Sequence, residues 1–247
     1  VKTALITDIH ANREALEAVL AHAHTHGASA LAFLGDFVGY GADPAWVVDT
    51  VRDFVATGAL AVQGNHDLAT VLGPSPEMRH DAKAVIDWTR AQLSADQLAF
   101  LDELPLSRRY GEKLFVHANA YAPAAWDYVL NSEFALRSML ATPCRYTFCG
   151  HMHQPRLFHA GSASRAGEAL PRPGAPITLK QDRQWLIIPG SAGQPRDGNP
   201  DACYALFDDQ VPSITYFRVP YDHEAAAGKV RSAGLPLRLA SRLLSGH

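Results

Sequence analysis

Apolar runs of four or five residues recur along this chain, and several close on glycine followed by Asp, His or Asn. Thr3-Ala4-Leu5-Ile6 reads as a buried strand and runs into Thr7-Asp8-Ile9-His10-Ala11-Asn12. Ala15, Leu16, Val19 and Leu20 then fall on one helical stripe, with Gly27 as the stop. Ala30-Leu31-Ala32-Phe33-Leu34 is a second strand and ends in Gly35-Asp36. Asp43 is placed as an N-cap before Pro44, and a helix from Ala45 to Ala56 leads to a third strand, Ala59-Leu60-Ala61-Val62. That strand meets Gly64-Asn65-His66-Asp67, where glycine lets the chain turn sharply. Three strand-helix units in succession predict parallel strands with right-handed crossovers.

The pattern then changes. Pro76 to Leu104 reads as a helical excursion, with Ser94 and Gln97 spaced for a capping box. Ser107–Tyr110 and Lys113–His117 form a hairpin across Gly111-Glu112. A short helix over Ser132–Leu140 precedes the strand Tyr146-Thr147-Phe148-Cys149, which ends at Gly150-His151-Met152-His153. Further strands are expected at Arg156–His159, Ile177–Leu179, Trp185–Ile188, Cys203–Phe207 and Ser213–Val219. The segment from Gly161 to Pro176, rich in Gly, Ala, Ser and Pro, reads as a mobile loop, and Asp222 opens a C-terminal helix with a basic end. No repeat divides the chain, so one large domain over residues 1–247 is expected.

Composition narrows the classes. Apolar residues make up 47% and charged residues 19% of 247, which fits a soluble globular chain with a sizeable core. A net charge of -3 gives no electrostatic case for duplex nucleic acid or an anionic membrane surface. No apolar run reaches membrane-spanning length, and no signal peptide is read at the N-terminus. Cys144, Cys149 and Cys203 are an odd set without a Cys-x-x-Cys pair, which argues for a reducing, cytoplasmic setting.

Histidine is the enriched residue type, at twelve, and its placement carries the chemistry. Asp8 with His10, Asp36, Asn65 with His66, His117, and His151 with His153 all fall at or just past strand ends. Residues two apart in an extended segment point the same way, so Asp8/His10 and His151/His153 can each converge on one site. Carboxylate, imidazole and amide oxygen together suit Mn, Fe or Zn better than Ca or Mg. Seven such donors exceed the needs of one ion, and two ions sharing a bridging carboxylate would use them all. The tract His22-Ala23-His24-Thr25-His26 reads as a solvated helix end, because His24 points away from His22 and His26. Cys149 reads as a small buried apolar residue, and Trp88 and Trp126 as packing residues that can also line a pocket. Arg196 follows a glycine loop and suits either a phosphate clamp or a surface turn.

Asp-x-His at Asp8, Gly-Asp at Asp36, Gly-Asn-His-Asp at Asn65, a lone histidine at His117 and Gly-His-x-His at His151 occur in the order found in the calcineurin-like metallophosphoesterases, which this chain resembles. The loop Pro189-Gly190-Ser191 to Gly198 is similar to the Pro-Gly-Ser segment of the YfcE-like and diadenosine-tetraphosphatase-like branches. The resemblance implies the metallo-dependent phosphatase fold, an α/β four-layer αββα sandwich of two mixed β-sheets flanked by helices. It implies two divalent or trivalent transition-metal ions. One would be held by Asp8, His10, Asp36 and His153, the other by Asp36, Asn65, His117 and His151. Beside these ligands His66 is the candidate acid that protonates the leaving oxygen, or a plain hydrogen-bond donor to phosphate, and Asp67 either orients its ring or caps the helix that follows Gly64. Asn65, His66 and Arg196 are the candidate contacts for a small phosphorylated substrate, a nucleotide among the candidates. The expected reaction is phosphoester hydrolysis by direct attack of a metal-activated water, with no phosphoenzyme. A Ser/Thr protein phosphatase and a non-catalytic scaffold of the same fold are the competing readings. Two departures stand out: Ala118-Asn119-Ala120 follows His117 where many relatives have Gly-x-Pro, and Ala11 follows His10 where glycine is common.

Overall fold

Twelve strands sort into two six-stranded mixed sheets in the computed structural model, which describes residues 1–74, 80–161 and 165–247. In the first sheet β1 (Lys2–Ile6) lies between β2 (Ala30–Phe33), parallel to it, and β11 (Ala202–Asp208), antiparallel. β3 (Leu60–Ala61) continues the parallel side, and β12 (Ser213–Val219) and β9 (Ile177–Thr178) complete the antiparallel side. In the second sheet β10 (Gln184–Pro189) lies between β6 (Tyr146–Phe148), parallel, and β7 (Pro155–Ala160), antiparallel. β5 (Lys113–Val116) and β4 (Ser107–Tyr110) extend it beyond β6, and β8 (Gly167–Ala169) edges β7.

The period of two in each strand decides the layers. In β10, Trp185 and Ile187 point between the sheets, while Leu186 and Ile188 point outward to α6 (Ser132–Leu140). In β1, Leu5 enters the inter-sheet core, whereas Ala4 and Ile6 pack under α1 (Arg13–Thr25) and α2 (Pro44–Ala56). Strands buried on both faces therefore read as continuous apolar runs. The result is helix, sheet, sheet, helix. α3 (Asn65–Leu72), α4 (His80–Ala91) and α5 (Ala95–Asp102) follow β3, and α7 (His223–Ser232) and α8 (Leu237–Ser245) close the chain.

The expected capping box is present: Gln97 N donates to Ser94 Oγ at 3.2 Å and Ser94 N to Gln97 Oε1 at 2.9 Å. Three expectations change. Asp43 makes no side-chain cap and instead accepts from Lys229 Nζ of α7 at 2.7 Å. The C-terminal helix is two helices, because Gly234 takes φ +70° and Pro236 offers no backbone N–H. β8 occupies part of the segment expected as a mobile loop; residues 162–164 of that segment lie outside the described residues. So do residues 76–79, where the helical excursion was expected to begin.

Phe148 is fully buried between the sheets, with ring centroids 5.1 Å from Phe115 and 5.2 Å from Phe207. Phe148→Ala should cost about 3–5 kcal/mol, read as a lower urea midpoint at unchanged slope.

Candidate metal centre

The loops after β1 and β2 prolong their pairing past the sheet: Asp8 N donates to Gly35 O at 3.1 Å, His10 N to Asp36 O at 3.0 Å, and Ala11 N to Phe37 O at 2.7 Å. The loops after β5 and β6 do the same in the second sheet, with Gly150 N on His117 O at 2.8 Å. His151 N then reaches across to Asp8 Oδ2 at 3.0 Å. Asp8, His10, Asp36, His151 and His153 all have φ between 49° and 67°, the left-handed region. An L-residue there costs on the order of 1 kcal/mol, and such residues persist where surrounding contacts over-determine them. Gly64 shows how close the approach is: a Cβ there would collide with the Asp36 backbone nitrogen and carboxylate.

Four histidines each commit one ring nitrogen to a backbone carbonyl. His10 Nδ1 donates to Val38 O (3.1 Å), His117 Nδ1 to Leu34 O (2.7 Å), His153 Nδ1 to Gln194 O (2.7 Å) and His151 Nε2 to Trp126 O (2.9 Å). A carbonyl only accepts, so those nitrogens carry the hydrogen and the opposite nitrogens are the ones left to bind. The opposite nitrogens meet in pairs. His10 Nε2 lies 3.2 Å from His153 Nε2, and His117 Nε2 lies 3.2 Å from His151 Nδ1. Burial holds His10, His151 and His153 below the usual histidine range. Two neutral rings facing lone pair to lone pair at that distance call for a cation between them. Burial would lower His117 too, but the Asp36 carboxylate, 3.3 Å away, overrides it and raises the ring to about 9.

The carboxylates agree. Asp8 Oδ1 is buried without a hydrogen-bond partner, 3.2 Å from His153 Nε2, and burial raises its carboxyl to about 7. Burial also acts to raise Asp36, but His117 and His66 outweigh it and hold the group well below the carboxylate range. Two donor clusters result: Asp8, His10, Asp36 and His153 in one, Asp36, His117 and His151 in the other. Asn65 Oδ1 lies 3.2 Å from His117 Nε2, which adds it to the second. The orphaned carboxylate oxygen and the paired lone pairs fit a transition-metal cation. The seven expected donors thus come together, with Asp36 common to both clusters.

His66 stands beside them, its ring 5.0 Å from His10 and 4.5 Å from Tyr40, and burial lowers it. Asp67 is not its orienting group. Both Asp67 oxygens accept backbone N–H groups, Oδ2 from Asp36 (2.9 Å) and Gly64 (2.9 Å), Oδ1 from Phe37 (2.8 Å) and Val38 (3.3 Å). Aspartate at this position ties the Gly64 turn to the Asp36 loop. Arg196 braces on Gln194 Oε1 (2.9 Å) and lies 5.6 Å over the Tyr40 ring. The departure after His117 has a structural use. Asn119 accepts from Ala122 N (2.8 Å) and donates to Asp127 O (2.9 Å), bracing the loop that presents the Trp126 carbonyl to His151. Trp126 also has its ring 5.9 Å from His117, whereas Trp88 packs against the α7–α8 hairpin. His22 and His26 stack on each other over Phe217, and Cys149 is buried.

Tyr40, Tyr128, Arg238 and Arg242 were not anticipated. Tyr128 stacks on His151 at 3.9 Å, and all four line, with His66, Asn65 and Arg196, a cavity of about 920 Å³ over the centre. They come from loops and from the last helix, where no local spacing marks them.

The profile of the calcineurin-like phosphoesterase superfamily domain matches residues 1–210. An uncharacterised protein of Methanocaldococcus jannaschii is 37% identical over 254 residues, spanning 99% of this chain and 98% of that one. A crystal structure of a metallophosphoesterase from Sphaerobacter thermophilus is 34% identical, covers 100% of this chain and 99% of that one, and superposes with a TM-score of 0.89. A hypothetical protein from Pyrococcus horikoshii, 18% identical with 100% and 98% covered, shares the fold at a TM-score of 0.78.

Asp67→Asn replaces an acceptor pair by one acceptor and a buried NH2, and should cost about 1–3 kcal/mol, read as a lower melting temperature with the metal site kept. Chelation should lower the melting temperature of the parent by about 5–10 °C and added Mn or Zn should restore it, as expected for about 2.7 kcal/mol of binding linkage at a hundredfold excess over Kd.

Proposed function

The chain belongs to the calcineurin-like phosphoesterase superfamily, and from that footing we propose that it is a dinuclear metal-dependent phosphoester hydrolase acting on a small phosphorylated substrate. The observation that carries this reading is the shared carboxylate: Asp36 belongs to two clusters of buried donors at once. Cations bound there, Mn, Fe or Zn by the donor chemistry, would acidify water and neutralise charge on the phosphoryl oxygens. The chain's own residues do the rest. Asn65 is a neutral donor and limits the negative charge facing an anionic substrate. His66 Nδ1 lies against Gly39, which leaves Nε2 to protonate the leaving oxygen. Burial lowers the proton affinity of this ring, and the Asp36 charge opposes that. Arg196, over the Tyr40 ring, offers its guanidinium to a phosphoryl oxygen.

The cavity of about 920 Å³ is the size of a small-molecule site and is walled by α3, α4 and α8, which supports a small substrate over the shallow, open site of a protein phosphatase. The intact donor set counts against a scaffold. No described helix is long and apolar enough to cross a membrane. Three buried free cysteines fit a reducing compartment, as proposed for the cytoplasm.

A Mn-supplemented panel of mono- and diesters tests this. The parent should turn over at least one class, and Asp36→Asn should lose both activity and bound metal. His66→Ala should lower kcat about 10²–10⁴-fold on alkyl phosphates and less on p-nitrophenyl esters, whose leaving group needs no proton. A parent inactive with Mn, Fe and Zn on every ester would overturn the reading, and equal losses on both leaving groups would remove the acid role.

A further inference from the structure

The last helix bears on the site in a way the sequence pattern did not suggest. α8 buries Leu239, Ala240 and Leu243 against α7 and Val85. Arg238 and Arg242, four residues apart, share the flank that lines the cavity. The chain end fixes this flank relative to Arg196. Gly198 N donates to Gly246 O at 2.9 Å, and Gly246 N donates to Arg242 O at 2.9 Å, so the segment carrying Arg242 is docked on the loop carrying Arg196.

Among the described residues no carboxylate lines the cavity and none pairs with Arg242 or Arg196. Burial lowers Arg242, and the charges of Arg196 and Arg238 lower it further, which places the three guanidiniums within one another's field. The like charges of Arg242 and Arg196 over one cavity repel unless an anion joins them. Tyr40 neighbours both groups: its centroid is 4.6 Å from His10 and 4.5 Å from His66, and Arg196 lies over it at 5.6 Å. Leu68, Leu72, Val85 and Ile86 give the same cavity an apolar wall.

We propose that Arg242 and Arg196 form a second anion subsite beside the metal centre, so that the preferred ligand carries a second phosphoryl group and an organic body, the chemistry of a nucleoside diphosphate or longer. This deepens the hydrolase reading and rests on it for the position of the first phosphoryl group. The guanidinium fork takes phosphate oxygens in pairs, and the apolar wall takes the base.

The test has two arms. In the first, ADP and adenosine are titrated by calorimetry into the full chain after chelation, with circular dichroism confirming the fold of each variant. The parent should bind ADP more tightly than adenosine. Arg242→Ala should lose about tenfold or more in ADP affinity while adenosine binding holds, Arg242→Lys should recover part, and added salt should weaken ADP alone. Arg109→Ala, on β4, serves as the control and should match the parent. In the second arm, the Mn-loaded protein is assayed, and Arg242→Ala should lower the ratio of kcat/KM for ADP over AMP about tenfold. No ADP binding by the chelated parent, or ADP affinity unchanged in Arg242→Ala, overturns the subsite. A parent that binds ADP through Arg242 but hydrolyses nothing keeps the subsite and sinks the hydrolase reading instead.

Discussion

Four backbone carbonyls decide what this protein can bind. By accepting one ring N–H each from His10, His117, His151 and His153, they turn the remaining nitrogens toward a common space and into two close pairs. A histidine held this way cannot rotate to find another partner, and its lone pair is committed before any ligand arrives. Asp8 and Asp36 add carboxylates that burial makes expensive to leave bare. The centre is thus a set of polar groups whose mutual repulsion is relieved by cations, and its rigidity comes from the backbone rather than from other side chains.

The sandwich exists, in functional terms, to bring these carbonyls together. Leu34 follows β2 of one sheet, yet its carbonyl orients a histidine that follows β5 of the other. Gln194 and Ser191 lie in the loop between β10 and β11, and both tie that loop to the metal side: Gln194 through His153, Ser191 through the Asp8 carbonyl at 2.8 Å. Inter-sheet packing by Leu5, Phe148 and Phe207 therefore sets the spacing of the donors. Left-handed backbone at five of them is the local strain that this packing sustains.

Much of this was readable from sequence because the signals are short-range. Glycine after a strand, paired polar residues two apart and apolar strands of period two announce themselves within ten residues, and they located the strand ends at Asp8, Asp36, Asn65, His117 and His151. Asp67 stays open between two roles in the sequence, which shows that it follows His66 but not that four backbone N–H groups from two loops close on it. One C-terminal helix was expected although Gly234 and Pro236 mark its split into two. What α8 contributes was not marked, because Arg238 and Arg242 acquire meaning only when Gly246 docks on the Arg196 loop, nearly fifty residues away in the chain. The carbonyl of Trp126 is invisible for another reason: backbone oxygens carry no sequence identity.

The most direct test of the central claim is an anomalous-scattering map from crystals of the full chain soaked in Mn. Two peaks about 3.5–4 Å apart, one on each side of Asp36 and each within bonding distance of one histidine pair, are expected. A single peak, or peaks away from Asp36, would contradict the idea that these side chains enclose a pair of cations.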